Sequence, residues 1–336
     1  MTSGLASTSA PLSATYDLAM LDLDGVVYVG PDAVEGAAQS LQLARENGMR
    51  LAYITNNASR TPREVAEHLR GLSMPDVKDG DIVTSAQAVA HLVADAVPSG
   101  SAVLLVGGDG LRVPLEERGL RCVTSLDDAP VAVVQGFHPD IGWRQLSEAS
   151  FAIQAGLPWF ASNTDMTMPT PRGMAPGNGS LVQTIRSATG ANPIVAGKPE
   201  QPLFDETVER VGGAHPLMVG DRLDTDIDGA INAGVDSLAV LTGVSSVQDI
   251  VDAAPGRRPT FVSFDLSGLN ESHSDVVLDG DRARCGEALA TARHGTITVE
   301  TADRRSTEAL RAIVGLAWSL RDGSDLRMTV DGTLVA

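Results

Sequence analysis

The stretch "LDLDGVVYVG" at residues 21–30 sets two carboxylates, Asp22 and Asp24, directly after an apolar run. Residues 17–21 (DLAML) predict a buried strand, and burying a charge costs several kcal/mol unless something compensates it. Two acids this close need a cation or a shared proton, while Gly25 lets the backbone turn sharply behind them. The stretch predicts a strand that ends at a cation-binding carboxylate pair. For these residues alone, an Asp pair that caps the turn is an equally good interpretation.

Strand-like and helix-like segments alternate on both sides of this stretch. The predicted strands lie at 17–21, 50–54, 216–220 and 237–243, and the predicted helices of the first half lie at 34–47 and 62–71. Alternation at this length indicates a parallel sheet flanked by helices. The middle of the chain carries strands and helices of its own among many turn residues, so we predict a second α/β domain inserted into the first.

The expected domain organisation has four parts. They are a disordered Ser/Thr/Ala-rich tail at 1–15, a core at 16–98 and 190–270, an inserted domain at 99–189, and a C-terminal α+β extension at 271–336. Within the extension we predict a strand at 296–300, a helix at 306–320 and a closing hairpin at 326–335 with an Asp-Gly turn. The extension carries no catalytic constellation, which favours a structural or interaction role for it.

Charge and cysteine content exclude several classes of partner and site. The 336 residues carry a net charge of -18, and so acidic a surface repels nucleic acid and anionic membranes. Cys122 and Cys285 lie far apart, which disfavours a disulfide framework or a zinc site and fits a reducing cytoplasm. We see neither a signal peptide nor an apolar run near the roughly 20 residues that span a bilayer. An anionic ligand would need positively charged side chains in its binding site, because the net charge of the protein repels it.

Two further polar stretches each follow a predicted strand, where open α/β sheets bind their ligands. Thr55, Asn56 and Asn57 offer a hydroxyl and amides that suit phosphate oxygens, although a helix cap explains them equally well when they are taken alone. Lys198, between Gly197 and Pro199, would supply the local positive charge. A lone lysine before a proline is most often solvated, so its interest depends on the other stretches.

The fourth stretch, "VGDRLDTDIDGA" at 219–230, is rich in acids. Asp224–Gly229 matches positions one, three, five and six of an EF-hand calcium loop, but the twelfth position is Val235 where a glutamate is needed. The calcium-loop interpretation therefore fails. Asp221, at the end of the predicted strand, is favoured as the metal ligand, with Asp226 supporting it.

Together the stretches "DLDGVVYVG", "ITNN", "GKP" and "GDRLDTDI" resemble the four motifs of the haloacid dehalogenase superfamily of aspartate-nucleophile phosphatases. The form of the first two, with an insertion before the third, resembles the C2-capped branch, which includes p-nitrophenyl, phosphoglycolate, glycerol 3-phosphate and pyridoxal phosphate phosphatases. The resemblance covers about residues 17–270. It implies an α/β fold: a Rossmann-like parallel-sheet core, an inserted α/β cap domain of the C2 type, and a small C-terminal α+β appendix.

The resemblance implies a Mg²⁺-dependent phosphomonoesterase. Asp22 would attack phosphorus and form an aspartyl phosphate, and Asp24 would protonate the leaving group and then activate water. Burial beside Asp22 would raise the pKa of Asp24 for this role. Magnesium would be held by the Asp22 carboxylate, the Asp24 backbone carbonyl and Asp221.

The resemblance also implies a phosphate-binding set and two supporting residues. The phosphate- and substrate-binding residues would be Thr55, Asn56, Asn57 and Lys198. Gly25 and Asp226 would support the carboxylates. Within the cap, Asn163, Asp165 and Arg172 are candidate specificity residues, although a loop shaped only by its own turns is at least as good an interpretation.

The most similar members of the branch are bacterial glycerol 3-phosphate phosphatases with an extra C-terminal segment, so we expect glycerol 3-phosphate as the substrate. The alternatives are 2-phosphoglycolate and pyridoxal phosphate, or a phosphometabolite-binding module without catalysis. Phosphoryl transfer to an acceptor other than water, as in a mutase, is less favoured. The expected partner is a small phosphorylated metabolite, with a homodimer implied by the resemblance alone, and the expected location is the cytoplasm.

Overall fold

The structure is a computed structural model that describes residues 4–170, 172–323 and 327–331. The strands are β1 Leu18–Leu21, β2 Tyr28–Val29, β3 Asp32–Ala33, β4 Arg50–Thr55, β5 Ile82–Thr84, β6 Ala102–Val106, β7 Arg121–Val123, β8 Ala132–Gln135, β9 Trp159–Ala161, β10 Thr167–Thr170, β11 Gly173–Pro176, β12 Ile194–Val195, β13 Pro216–Gly220, β14 Asp236–Val240, β15 Phe261–Ser263, β16 Val277–Asp279, β17 Arg282–Cys285, β18 Ala288–Arg293, β19 Thr296–Glu300 and β20 Thr329–Val330. The helices are α1 Leu12–Thr15, α2 Ala37–Glu46, α3 Pro62–Gly71, α4 Ser85–Ala96, α5 Asp109–Glu117, α6 Trp143–Gln154, α7 Asn178–Thr189, α8 Pro202–Val211, α9 Asp228–Ala233, α10 Val247–Asp252 and α11 Thr307–Gly323. Among these described helices, none combines the length and the apolar character that crossing a membrane requires.

The chain divides into two compact units. The first unit comprises Met1–Ala52, Leu72–Pro75 and Gly213–Ala336, and the second comprises Tyr53–Gly71 and Asp76–Gly212. Strand β4 passes from the first unit into the second. These boundaries differ from those we predict for the core, at 16–98 and 190–270, and for the cap, at 99–189, so that domain division stays a prediction.

The first unit is built on parallel strands in the order β15, β14, β13, β1, β4. All four residues of β1 are buried. The strand is covered on both faces, which explains why it is apolar throughout its length. In the pairing of β1 with β13, Leu21 lies opposite Val219. The carboxyl ends of these two strands are therefore neighbours, and the acids that follow them start from adjacent points.

The second unit contains a five-stranded parallel sheet in the order β12, β9, β8, β6, β7, and β5 pairs in parallel with β4. Its apolar core includes Leu104, Val133 and Trp159. Strands β10 and β11 form an antiparallel hairpin in the segment that we predict only as a turn-rich loop. These short strands are largely exposed, so they lack the apolar alternation by which a strand is recognised.

The disordered tail expected at 1–15 is wrong for residues 4–15. Leu12 is completely buried, the Ala6 amide donates to the Thr260 carbonyl at 3.1 Å, and the Thr8 amide donates to the His273 carbonyl at 2.8 Å. The Ser13 hydroxyl also donates to Asn270 Oδ1 at 3.0 Å. The backbone, an apolar side chain and polar side chains thus fix this segment through distant partners that its composition does not show. Residues 1–3 lie outside the described part of the chain.

The C-terminal extension forms a sheet in which β16 to β19 are antiparallel and β20 pairs with β19 in parallel. The predicted strand at 296–300 and helix at 306–320 are confirmed as β19 and α11. Strands β16 to β18 were not predicted, since they are short and partly exposed. The hairpin expected at 326–335 lies mostly outside the described residues.

Trp318 on α11 joins this extension to the rest of the first unit. Its side chain is completely buried in the same apolar cluster as Ile227 and Val262, and its Nε1 donates to the Ile250 carbonyl at 2.9 Å. The Arg258 guanidinium lies 4.7 Å from the centre of the ring. The extension therefore shares one core with the parallel sheet.

We expect Trp318→Ala to lower the free energy of unfolding by about 3–5 kcal/mol, because it leaves a cavity and removes the donor to the Ile250 carbonyl. Trp143→Ala is the matched control: this tryptophan is 78% exposed, and its loss should change stability by no more than about 0.5 kcal/mol. Urea unfolding followed by circular dichroism measures both. Equal effects of the two substitutions would contradict the shared core.

A buried histidine makes the stability of the first unit pH-dependent. The His273 side chain is completely buried; its Nε2 lies 2.9 Å from the Gly268 carbonyl, and its Nδ1 lies 3.3 Å from an Arg311 nitrogen. The neutral ring can donate to the carbonyl and accept from the guanidinium, so both nitrogens are satisfied. Burial, and then the Arg311 charge, lower the pKa of His273 to about 4.

Because the pKa of His273 is lowered in the folded state, the unfolded chain binds a proton at this histidine between pH about 6.5 and about 4, whereas the folded chain does not. We expect stability to fall as the pH drops from about 6.5 to about 4, by at most about 3 kcal/mol from this group. Urea unfolding at several pH values should show a flatter profile for His273→Asn than for the native chain. His294→Asn, at an exposed histidine, should keep the native profile, and a native slope in His273→Asn would contradict the assignment.

Candidate active site

Four acids of the first unit, which we call the carboxylate group, are Asp22, Asp24, Asp221 and Asp226. Asp22 follows β1, and its amide donates to the Val219 carbonyl at 2.9 Å. Oxygen atoms of Asp22, Asp221 and Asp226 all lie within 4.8 Å of one another. Asp221 and Asp226 are buried, and Asp22 is half-buried. The adjacent ends of two parallel strands thus bring Asp22 and Asp221 together, and Asp226 joins them.

Asp226 reaches this group from a π-helical turn at Leu223–Ile227. Such a turn inserts an extra residue into a helix and is frequent at functional sites. The Arg222 amide donates to Asp226 Oδ2 at 3.1 Å, and a Cβ on Gly220 would lie 2.2 Å from Asp226 Cβ. The absence of a side chain at Gly220 therefore allows Asp226 to approach.

The Asp221 carboxylate lies between two glycines. A Cβ added to Gly25 would lie 2.5 Å from Asp221 Oδ2, and one added to Gly243 would lie 2.0 Å from the same oxygen. Gly25 also has a φ of +86°, which L side chains rarely adopt. Any side chain at Gly25 would displace the carboxylate, and the supporting role of Gly25 stays a prediction.

Asp24 differs from the expectation, because its side chain is exposed and not buried beside Asp22. It lies beyond the end of β1, in the turn that Gly25 continues, and the Tyr28 hydroxyl donates to its Oδ2 at 3.4 Å. The predicted increase in its pKa through burial therefore has no support from this arrangement.

The donor set of the carboxylate group fits Mg²⁺. Magnesium prefers carboxylate oxygens and keeps several waters or substrate oxygens, and three carboxylates converge here. Like charges this close, two of them buried, are costly without a compensating cation. Asp226 contributes to the cluster through its own carboxylate, in addition to the predicted Asp22 and Asp221.

In the second unit, Asn56 and Lys198 are joined by reciprocal hydrogen bonds. The Asn56 Oδ1 accepts from the Lys198 amide at 2.8 Å, and its Nδ2 donates to the Lys198 carbonyl at 2.9 Å. A Cβ on Gly197 would lie 2.6 Å from Asn56 Oδ1. The Lys198 side chain is only 3% exposed, so the structure contradicts the interpretation of a solvated lysine.

Thr55 and Asn57 shape the same loop. The Asn57 amide donates to Thr55 Oγ1 at 3.1 Å, and the Asn57 side chain accepts from the Ser59 amide at 2.9 Å and from its hydroxyl at 2.6 Å. Thr55, Asn56, Asn57 and Lys198 therefore belong to one hydrogen-bonded assembly of the second unit, which we call the amide–lysine group.

Two of the three candidate specificity residues contact this group. Asn163 Nδ2 donates to the Asn56 carbonyl at 2.6 Å, and Asn56 Nδ2 donates to both Asp165 oxygens at 3.1–3.2 Å. Arg172 lies instead in the exposed turn between β10 and β11. Sequence reasoning missed Ser85, whose hydroxyl donates to the Asn56 carbonyl at 2.5 Å, because a serine at a helix start is ordinarily assigned to capping.

The comparison with protein families gives two matches. Residues 19–121 match the family described as haloacid dehalogenase-like hydrolase, and residues 195–269 match a family described as HAD-hydrolase-like. Each match carries two of the four quoted motifs, and the part between them contains most of the predicted cap.

Several curated proteins are similar over most of the chain. A D-glycerol 3-phosphate phosphatase from Mycobacterium tuberculosis is 48% identical over 260 residues, which are 77% of this chain and 72% of the relative. An acid sugar phosphatase from Staphylococcus aureus is 36% identical over 254 residues, covering 75% of this chain and 96% of the relative.

The solved structures that resemble this chain are also phosphatases. A glycerol phosphate phosphatase from M. tuberculosis in complex with magnesium superposes with a TM-score of 0.84 at 41% identity, covering 96% of this chain and 95% of that chain. A 4-nitrophenylphosphatase from Thermotoga maritima gives a TM-score of 0.71 at 29% identity, covering 77% of this chain and 98% of that chain. The first match extends over the C-terminal extension as well.

Proposed function

The chain belongs to the haloacid dehalogenase-like hydrolase family, and from that premise we propose that it hydrolyses glycerol 3-phosphate to glycerol and phosphate. The proposal rests on the convergence of three carboxylates: Asp22 and Asp221 follow two neighbouring parallel strands, and Asp226 joins them from the π-helical turn. A nucleophilic carboxylate beside a cation site is what aspartate-based phosphoryl transfer requires.

We assign the nucleophile to Asp22. One of its oxygens attacks phosphorus while the bond from phosphorus to the ester oxygen breaks, and Asp24 gives a proton to the departing alkoxide. Asp24 then takes a proton from water as the water attacks phosphorus. The bond from phosphorus to the Asp22 oxygen breaks, so that phosphate is released and the carboxylate is restored.

Magnesium would be held by the Asp22 and Asp221 carboxylates and the Asp24 backbone carbonyl, with Asp226 beside them. When bound, it neutralises charge on the transferring phosphoryl group. The exposure of Asp24 suits a group that exchanges protons with the leaving group and with water. The Tyr28 hydroxyl, at 3.4 Å from its Oδ2, helps to orient it.

The amide–lysine group would bind the phosphoryl oxygens. Lys198 brings a positive charge to a chain of net charge -18, and Thr55, Asn56 and Asn57 offer a hydroxyl and amides. Asn56 supports Lys198 through the two backbone hydrogen bonds described above. Because these bonds fix the backbone of the buried Lys198, its side chain would lose less freedom when the ammonium pairs with a dianionic phosphate.

The test is the initial rate of phosphate release with Mg²⁺ from glycerol 3-phosphate, 2-phosphoglycolate, pyridoxal 5′-phosphate and sugar phosphates. The glycerol 3-phosphate assignment is favoured by the mycobacterial relative at 48% identity and by the mycobacterial structure that covers 96% of this chain. We expect kcat/KM to be highest for glycerol 3-phosphate and lost with chelator. A higher kcat/KM for another ester would make that ester the assigned substrate. No phosphate release from any of these compounds would favour a binding module without catalysis.

Two smaller parts of the proposal concern location and assembly. We propose a cytoplasmic location, which the free thiols Cys122 and Cys285 suit, because reducing compartments keep thiols unpaired. We also propose a homodimer, on the resemblance alone. Sedimentation equilibrium of the full chain tests the second point, and a single monomeric species at micromolar concentration would reject it.

A further inference from the structure

The loop that joins β14 to α10 contacts the carboxylate group from a part of the chain outside the quoted motifs. It contains Thr242, Gly243 and Val244, and we call it the 242–244 loop. Its contacts reach Asp221 on one side and Gly25 on the other, so it touches both strand ends of the proposed metal site.

On the first side, the loop and the residue that follows it hold Asp221 by two hydrogen bonds. The Val244 amide donates to Asp221 Oδ2 at 2.6 Å, and the Ser245 amide donates to the Asp221 carbonyl at 3.1 Å. The Val244 side chain is 72% exposed, so its contribution comes from the backbone. These bonds fix both the position of Asp221 and the direction of its carboxylate.

On the second side, the Thr242 hydroxyl donates to the Gly25 carbonyl. The Gly25 amide donates in turn to the Tyr28 carbonyl at 2.8 Å. Gly25 has a positive φ and the widest conformational freedom of any residue type. Hydrogen bonds at both of its backbone groups therefore restrict a turn that would otherwise be loose.

The two sides are in direct contact. A Cβ added to Gly243 would lie 2.7 Å from Gly25 Cα and 2.0 Å from Asp221 Oδ2. The loop backbone at Gly243 therefore lies against both the turn after Asp24 and the Asp221 carboxylate. A change in the hydrogen bond made by Thr242 would alter the spacing of the groups on either side.

We infer that Thr242 is a positioning residue for the metal site: its hydroxyl holds the turn of Gly25 in register with the Asp221 carboxylate. The inference deepens the proposed function and rests on it, since it takes Asp22, the Asp24 carbonyl and Asp221 as the ligands of Mg²⁺. Threonine suits this task, because its branched Cβ restricts the hydroxyl to few rotamers. Partners that orient metal ligands typically change metal affinity or activity by about 10- to 100-fold.

The experiment compares Thr242→Val, which keeps the shape and removes the donor, with Thr242→Ser, which keeps the donor. Calorimetric titration with Mg²⁺ alone measures the metal, and steady-state kinetics with glycerol 3-phosphate measures turnover. For Thr242→Val we expect Mg²⁺ affinity and kcat each to fall by about tenfold, with KM changed by less than about twofold. Thr242→Ser should recover Mg²⁺ affinity to within about threefold of the native chain.

Thermal unfolding in chelator separates positioning from folding, since both variants should melt within about 3 °C of the native chain. Native Mg²⁺ affinity in Thr242→Val would overturn the inference, and so would equal losses in both variants, because Thr242→Ser keeps the hydroxyl donor. A native chain that releases no phosphate would defeat the proposed function. The Mg²⁺ titration would still decide the role of Thr242, because it needs no substrate.

Discussion

Asp22→Asn is expected to lower kcat for phosphate release by at least about 1,000-fold, because an amide cannot form the aspartyl ester. The substitution keeps the shape of the side chain and removes one negative charge from a cluster in which oxygens of three acids lie within 4.8 Å. It should therefore leave the fold intact. Stopped assays of phosphate release, with circular dichroism of the same sample, measure both effects.

Asp32→Asn is the matched control, since it makes the same chemical change at an exposed position on β3. We expect it to keep kcat within about twofold of the native value. Both variants are compared with the native chain at equal protein concentration and saturating Mg²⁺. If Asp22→Asn retained a tenth or more of the native kcat, the nucleophile would have to be another residue.

Asp221→Asn should have the second largest effect, and it should act through the metal. Asp221 is 1% exposed and lies against Gly25 and Gly243, so an amide would keep its place but lose its charge. We expect Mg²⁺ affinity to fall by at least about 100-fold. The rate of phosphate release should also fall steeply at low Mg²⁺ and recover in part as Mg²⁺ is raised, which calorimetry and a metal titration of kcat measure.

Asp224→Asn tests whether this effect depends on position or on charge. Asp224 belongs to the same acidic stretch, is 62% exposed and pairs with Arg222 at 2.9 Å. We expect its loss to leave Mg²⁺ affinity unchanged within about twofold. Equal losses in Asp221→Asn and Asp224→Asn would mean that Mg²⁺ is attracted by the acidic stretch as a whole, against the assignment of Asp221 as a ligand.

The elements that carry the site were predictable from sequence. The strands β1 and β13 are short apolar runs, buried on both faces, and the polar residue after each marks its end. Parallel pairing then brings Asp22 and Asp221 together without further information. Helix α3 was predicted at its observed bounds, since Pro62 marks its first turn.

Other parts depend on tertiary contacts that leave little trace in composition. The segment at 4–15 is fixed by hydrogen bonds that its backbone and its hydroxyls make to distant residues, and composition does not show which residues those are. Strands β16 to β18 and the β10–β11 hairpin are partly exposed, so their alternation is weak. In each case the deciding contact is with residues far away along the chain.

The same distinction holds within the site. The carboxylates, Asn56 and Lys198 are recognisable because their chemistry requires those side chains. Val244 acts through its amide, and the exposure of Asp24 follows from where β1 ends and from the turn at Gly25. The contact made by the Val244 amide does not depend on the valine side chain, and the exposure of Asp24 does not depend on its being an aspartate.

The measurement that tests the account most directly is the capture of the aspartyl phosphate. Asp24→Asn would be mixed with Mg²⁺ and p-nitrophenyl phosphate carrying a radiolabelled phosphoryl group, then quenched in acid and digested. Because p-nitrophenolate is a weak base, it leaves without help from a general acid. The second step still needs the Asp24 carboxylate to activate water, so the intermediate should accumulate.

We predict that the label is found on the peptide containing Asp22, is released by hydroxylamine as expected for an acyl phosphate, and is absent when Asp22→Asn is combined with Asp24→Asn. Label on another residue would contradict the account. So would the release of p-nitrophenol by Asp24→Asn at the native rate with no labelled protein at any time.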